Sequence, residues 1–544
     1  MKKNLTVWNL FSVVILAAFA LFIMYPIFLI LYRSVIHGDT GALTFQNFAH
    51  FFAKKFYWGT MVNSLKVTVV STILSAALGL PLAYLMRSVK IKGSSFLNIL
   101  IVISYLSPPF IGAYAWIQML GRQGVITQFL NDTFGLHYGG VYGFAGIVLV
   151  FTLQSFPLVY IYVSGALKNL DNSLNEAAES LGCSRMGRIW KIIVPLVMPT
   201  LLASSMLVFM RVFADFGTPM LIGEGYKTLP VLIYNQFMGE VSGDDGFAAA
   251  ICCIVIGLTI VMFFVQRFLA GRNTYAMTAL RPMAAESLGG LRNILAHLAV
   301  YMVVGLAILP QFVVVYTSFL ATNGGQVFTG GFALQSYDAT LFAKDNDVIW
   351  HTYFLGLCAI AAVLVLGVLI AYLSVRKRNT LNSILDVITM FPFIIPGSVL
   401  GIAFVFAFNK SPIILTGMAL IMIISFAVRR MPYTVRSSTA ILGNISPSIE
   451  EAAISLGASD MTTFRKITVP MMMPGVLSGA IMSWVTIISE LSSSIILYTN
   501  STQTLTVSIY TEVIRGNYGN ASAYATILTV TSILSLLLFY KVTG

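Results

Sequence analysis

Charge is scarce in this sequence. Asp, Glu, Lys and Arg together make up 10% of the 544 residues, against about 25% in a soluble chain. That is too little polar material to cover a water-soluble globule, so a soluble fold is excluded. Cysteine and histidine are also few, at four and five residues. Cys183, Cys252, Cys253 and Cys358 show no metal-ligand spacing, and the histidines are scattered with no HExxH. Neither an external disulfide framework nor a metal site is expected. The phosphate loop GxxxxGK[ST] is absent too, so the chain is not expected to hydrolyse ATP itself or to act as an enzyme.

What is abundant is apolar. Hydrophobic residues make up 58% of the chain, and apolar runs of about 20 residues recur from end to end. Twelve spans are placed, in the first half near 10–33, 60–86, 96–120, 141–167, 196–222 and 247–269. In the second half they lie near 293–320, 350–374, 383–408, 412–430, 471–498 and 521–541. All are read as helices, because an open sheet cannot satisfy its backbone in lipid, and Pro26, Pro157 and Pro310 are tolerated inside them. The first run, Leu10 to Tyr32, is longer than the 7–15 apolar residues of a signal peptide, roughly, and is read as a retained span.

Two polar islands interrupt the apolar text, and they match. Glu176 to Pro199 reads EAAESLGCSRMGRIWKIIVPLVMP, and Glu451 to Pro474 reads EAAISLGASDMTTFRKITVPMMMP, 275 positions on, with fourteen of 24 positions identical. An internal repeat follows. Each copy reads as a short helix, with capping side chains at Asp171-Asn172-Ser173 and at Ser446-Pro447-Ser448. Glu176 and Glu451 fall in the first turn, where a negative charge favours the helix dipole. Ala177-Ala178 and Ala452-Ala453 offer a small-residue face to a partner, and Gly182 and Gly457 suit a left-handed helix end. Elsewhere Leu82-Ala83-Tyr84-Leu85 recurs as Ile370-Ala371-Tyr372-Leu373, Phe156-Pro157 as Met431-Pro432, and Lys227 through Tyr234 as Gln503 through Tyr510.

Six spans per half, an even number, make the repeats parallel, about an axis along the membrane normal. Lys and Arg set the orientation. On this span assignment 22 of the 32 basic residues fall on the side of the termini and both islands, and the positive-inside rule makes that side cytoplasmic. The formal charge of +12 thus reflects membrane topology, and no nucleic-acid partner is expected. Residues 271–292 read as a cytoplasmic linker between halves 1–270 and 293–544. The outer loops 33–59 and 321–349 are long enough to receive a soluble partner, or are plain solvated loops.

Glu-Ala-Ala, then Leu-Gly, a basic run and Val-Pro, resembles the EAA signature of ATP-binding-cassette (ABC) importer permeases of the type I fold. Two in-register copies, in loops 171–199 and 446–474, make the whole chain resemble two tandem permease halves. The resemblance implies an all-α polytopic bacterial inner-membrane protein of about 12 transmembrane helices in two parallel six-helix repeats. It implies that the coupling residues Glu176, Ala177, Ala178, Gly182, Glu451, Ala452, Ala453 and Gly457 seat in two copies of an ABC ATPase. ATP and Mg would be used by those subunits, with no cofactor on this chain, and an extracytoplasmic substrate-binding protein would deliver the cargo. Fused permeases of this size resemble the ferric-iron family, with relatives carrying 2-aminoethylphosphonate, thiamine or other small solutes. An ion-coupled secondary transporter is the alternative class, but it has no need of paired docking helices.

Asp215 and Glu490, again 275 apart, are the intramembrane acids expected to line a substrate pathway, with Ser493 beside Glu490. Arg211 could instead neutralise Asp215 as an i,i+4 pair, whereas Glu490 has no cation adjacent in sequence. Two acids favour a cationic cargo. The Ala-Asp-Phe-Gly run beginning at Ala214 also resembles phosphonate-type relatives, which leaves that cargo open. Ser104 to Pro109 and Phe391 to Gly397 are read as kinks that shape packing, with helix breaks as the alternative.

Overall fold

The computed structural model describes residues 7–36, 41–135, 139–239, 245–271, 285–323, 327–342 and 347–543. Residues 272–284 of the expected linker lie outside that set, as do Lys2, Lys3, Arg272 and Arg281. Among the described residues nine helices are long and apolar enough to cross a membrane, or eleven if two sharply bent helix pairs each count as one span. The tenth expected span, 412–430, is in fact the 26-residue helix Ala419–Asn444, whose Arg429, Arg430 and Arg436 keep it out of that count.

Four other expected spans are interrupted. Residues 96–120 divide into Ser94–Leu106 and Pro109–Leu120, and the axis turns by 100° there. Residues 383–408 divide at Ile395-Pro396, with a turn of 110° before Gly397–Phe408. The kink reading is therefore corrected to a break in both places. The cause is proline, which has no N–H and drives the preceding residue out of the helical region. Ser107 and Ile395, each before a proline, have ψ of 135° and 127°. The expected spans 196–222 and 471–498 likewise stop at Asp215 and near Glu490. Val194–Ala214 is followed by Gly217–Ile222, and Val469–Ile488 by Ser494–Leu497.

Three π-helical turns, Ala20–Met24, Ile189–Ile193 and Phe464–Thr468, each lie directly before an α-helix whose second residue is proline: Pro26, Pro195 and Pro470. A proline ring collides with the carbonyl four residues back, and widening the turn relieves the collision. The outer loops carry their own structure. Gln46–Ala53 is a helix, and Leu320–Asn323 pairs antiparallel with Val327–Phe332 ahead of the helix Gln335–Leu341.

The chain forms two compact units. One comprises Met1–Phe51, Ile233–Ile256 and Leu320–Gly544, and the other Phe52–Leu232 and Gly257–Phe319. In the first, Val348–Arg376 crosses Ala419–Asn444, and Tyr25–Ser34 from the start of the chain lies on Gly397–Phe408. In the second, Lys55–Ser88 crosses Gly143–Lys168, and Gly290–Ser318 lies on Ser94–Leu106 and Pro109–Leu120. Each unit therefore takes its central helices from one sequence half and an outer helix from the start of the other. The central crossings are repeat mates: a Cβ at Gly79 would fall 2.7 Å from Val159 Cβ, and one at Gly367 would fall 2.9 Å from Thr434 Cγ2. Gly79 and Gly367 are 288 positions apart, but Val159 and Thr434 only 275. The difference of 13 is an insertion in the first half, where the helix Val125–Phe134 sits.

Candidate functional site

The two polar islands fold alike. Their first helices are Ser173–Ser180 and Pro447–Ser455. Asp171 Oδ1 accepts from the Ser173 N–H at 3.0 Å, and Ser446 Oγ accepts from the Ser448 N–H at 3.4 Å. Asn172 instead donates its amide to Glu176 Oε1 at 2.8 Å. Both helices end in the same pair of bonds, Gly182 N–H to Glu179 O with Cys183 N–H to Ala178 O, and Gly457 N–H to Ile454 O with Ala458 N–H to Ala453 O. Such an end needs a left-handed residue, and Gly182 and Gly457 have φ of +79° and +91°. Ser184 and Ser459 then cap the helices Arg185–Arg188 and Asp460–Thr463 through 3.2 Å bonds from Gly187 and Thr462.

Exposure within the islands is selective. Glu176, Ala177, Glu451 and Ala452 face outward, while Ala453 is buried, so the small-residue face expected there reduces to Ala452. Leu181 and Leu456, repeat mates beside the glycines, are 88% and 90% exposed. Leu174, Met186 and Trp190 in one copy, and Ile449 and Ile454 in the other, are exposed apolar side chains as well. The second island is tied down by Arg376, which meets Glu450 at 3.0 Å and donates to Ile445 O at 2.7 Å. Lys377 adds an ion pair to Asp460 at 2.9 Å. The first island has Glu179 paired with Arg188, and Arg185 3.7 Å from Glu286.

Glu490 meets cations that its sequence neighbours do not supply. It is almost fully buried, and its two carboxylate oxygens pair with Arg429 and Arg430. The absence of a cation close in sequence was misleading, because the partners lie 61 and 60 positions away on Ala419–Asn444. These arginines lie part-way along that helix and are largely but not fully buried, with 11% and 18% of their side chains exposed. Two adjacent arginines directly before the repeated Met431-Pro432 were the signal that could have marked them. Ser493 is buried and serves the same carboxylate, its N–H donating to Glu490 Oε1 at 3.2 Å.

Asp215 sits at the corresponding break in the other unit with the same local bond: its Oδ1 accepts from the Thr218 N–H at 2.9 Å. It lines a small cavity with Ser64, Thr68 and Thr228. Where the second half has Arg429 and Arg430, the first has Gln154 and Ser155. Gln154 donates to Pro109 O at 2.8 Å. The Arg211 guanidinium lies over the Tyr105 ring, 4.7 Å from its centre. Past both breaks the chain is anchored alike, Leu229 N–H to Ser64 Oγ at 2.8 Å and Leu505 N–H to Thr352 Oγ1 at 2.7 Å.

Residues 75–275 and 363–543 each match the binding-protein-dependent transport system inner membrane component family. The chain belongs to that family. It is a multi-pass membrane permease of the ABC importer class, with the family domain in tandem. Among its relatives, the ferric transport system permease protein FbpB of Actinobacillus pleuropneumoniae is 30% identical over 98% of this chain and 78% of its own length. The molybdenum transport system permease protein ModB of Escherichia coli K12 is 28% identical over 39% of this chain and 93% of its own length. A putative 2-aminoethylphosphonate transport system permease protein, PhnU, of Salmonella choleraesuis is 26% identical over 49% of this permease and 92% of its own length. Among solved structures, a bacterial ABC transporter involved in the import of the acidic polysaccharide alginate aligns at 20% identity with 49% of this chain and 98% of that one, at a TM-score of 0.37.

Proposed function

We propose that this permease imports ferric iron, driven by separate ATPase subunits. Two copies of an ABC ATPase dock on the cytoplasmic islands, one at Glu176, Ala177, Ala178 and Gly182 and one at Glu451, Ala452 and Gly457, with Ala453 packed behind. Both termini are cytoplasmic on this reading. An extracytoplasmic binding protein delivers the cargo, and ATP and Mg act only in the ATPases. The observation that carries the docking is the matched exposure of Leu181 and Leu456, which places an uncovered large apolar side chain at the same point of both islands. A single exposed leucine is common on a protein surface, but one at the same point of both repeats suits a partner groove. ATP-driven closure of the ATPases draws the two islands together and shifts the inward–outward equilibrium. Such a shift requires that nucleotide bind the two states with different affinity.

Iron rests on the ferric-transport relatives that align with nearly the whole chain. Glu490 does not favour a cation, because Arg429 and Arg430 neutralise it. That pairing favours a second reading, an anionic cargo such as 2-aminoethylphosphonate. Reconstitution with the ATPase and binding protein, followed by uptake of labelled iron and labelled phosphonate, separates the two. Iron uptake that survives bulky replacements of both Gly182 and Gly457 would count against the docking.

A further inference from the structure

We propose that the breaks before Gly397 and after Ile488, together with Arg429 and Arg430, build an anion-binding site inside the membrane-embedded part of one unit. The ligand class is a small oxyanion or carboxylate. Four features converge there. Gly397 lies against the Arg429 guanidinium, and a Cβ on it would also fall 2.7 Å from Ser492 Cβ, so both broken segments and the arginine helix meet at one point. Gly397–Phe408 is a twelve-residue helix without a side-chain cap. Its ladder opens with Leu400 N–H to Pro396 O, so the N–H groups of Gly397, Ser398 and Val399 stand ahead of it at the positive end of the dipole. The Ser398 hydroxyl is fully buried and has no hydrogen-bond partner. Nε of Arg429 and Nε of Arg430 are likewise buried and unpartnered.

The charges do not cancel. Two guanidinium groups face one carboxylate, Glu490. A surplus positive charge beside a helix N-terminus in a membrane interior is costly unless an anion joins it. Ser493 does not alter the sum, since its N–H is spent on Glu490. The repeat mate lacks this chemistry: Gln154 and Ser155 replace the arginines, and Pro109, which has no N–H, stands where Gly397 does. The site is therefore confined to one half. Its consequence for transport rests on the permease reading: cargo passing here travels as an anion, or as an anionic chelate of the metal.

The test needs no cargo. Thermal unfolding of the full permease in lipid nanodiscs is followed at constant ionic strength with inorganic phosphate, citrate or choline. Phosphate or citrate is expected to raise the melting temperature with the logarithm of its concentration, and choline is not. The arm that responds tells phosphate-type from carboxylate ligands. Glu490→Gln is expected to melt lower without anion and to gain more from it than the wild type. Arg430→Gln, and Ser398→Ala if the first fails to fold, are expected to weaken anion affinity, by about tenfold or more for the arginine. No anion effect in wild type and Glu490→Gln overturns the proposal. An equal effect in Arg430→Gln and Ser398→Ala does so too, since it marks an adventitious ion only. Because melting is read without transport, a failure here is separate from a failure of labelled iron to be taken up.

Discussion

At Gly182 and Gly457 nothing lies within 4 Å of where a Cβ would be built, so a side chain would meet no clash. The penalty of a substitution there is backbone strain alone, about 1–2 kcal/mol for an L residue forced left-handed. Gly457→Ala is expected to lower the number of solutes imported per ATP hydrolysed. Gly457→Asn should recover most of the loss, because asparagine tolerates that conformation. Equal coupling ratios in the two variants would remove the helix end from the mechanism. Arg376 presents the opposite situation, since it is packed against a buried Glu450. Arg376→Gln strands that carboxylate and is expected to destabilise the protein by about 3 kcal/mol, read by thermal melting. The double change with Glu450→Gln should recover part of it. The left-handed glycines were legible in sequence because a helix end is a local event. The Glu490 pairs were not: adjacency in sequence says nothing about partners 60 positions away.

Helices meet here through small residues. Without a hydrophobic drive inside lipid, close approach of backbones supplies the contact, and glycine permits it. Gly79 and Gly367 occupy the same crossing in the two repeats, so Gly79→Ala and Gly367→Ala are each expected to cost about 1–3 kcal/mol through overpacking. Gly165, on the helix that Gly79 faces, has open space around it, and Gly165→Ala should be neutral or stabilise by about 0.5–1 kcal/mol. Melting of the three variants in one lipid decides the matter, and a Gly367→Ala as stable as Gly165→Ala would contradict the crossing. Helix identity and approximate position were legible in sequence, because runs of apolar residues force it. Break angles were not. Pro108-Pro109 and Pro396 announce a disturbance, but whether a helix bends or turns by 110° depends on what packs on both sides. The antiparallel pairing of Leu320–Asn323 with Val327–Phe332 was also hidden, in a segment read only as loop.

On the scale of the whole chain, sequence halves and compact units are different partitions. The boundary near 271–292 follows the repeat, whereas each unit draws helices from both sides of it. Tyr25–Ser34 is packed with the second half's Gly397–Phe408, and Gly290–Ser318 with the first half's Ser94–Leu106. Periodicity could reveal the repeat but not this exchange, which is decided by packing between distant segments. Trp8 strengthens the link, its indole N–H donating to Asp460 Oδ2 at 3.4 Å in the second island. A half expressed alone therefore lacks one helix of the unit it mainly builds and leaves its own first helix without a bed. Fragments 1–278 and 279–544, cut among residues outside the described set, are expected to be degraded when made singly. Made together, they should co-purify and restore uptake. A first fragment that accumulates alone in the membrane, protease-resistant and monomeric, would mean that the exchanged helices contribute little to holding either unit together.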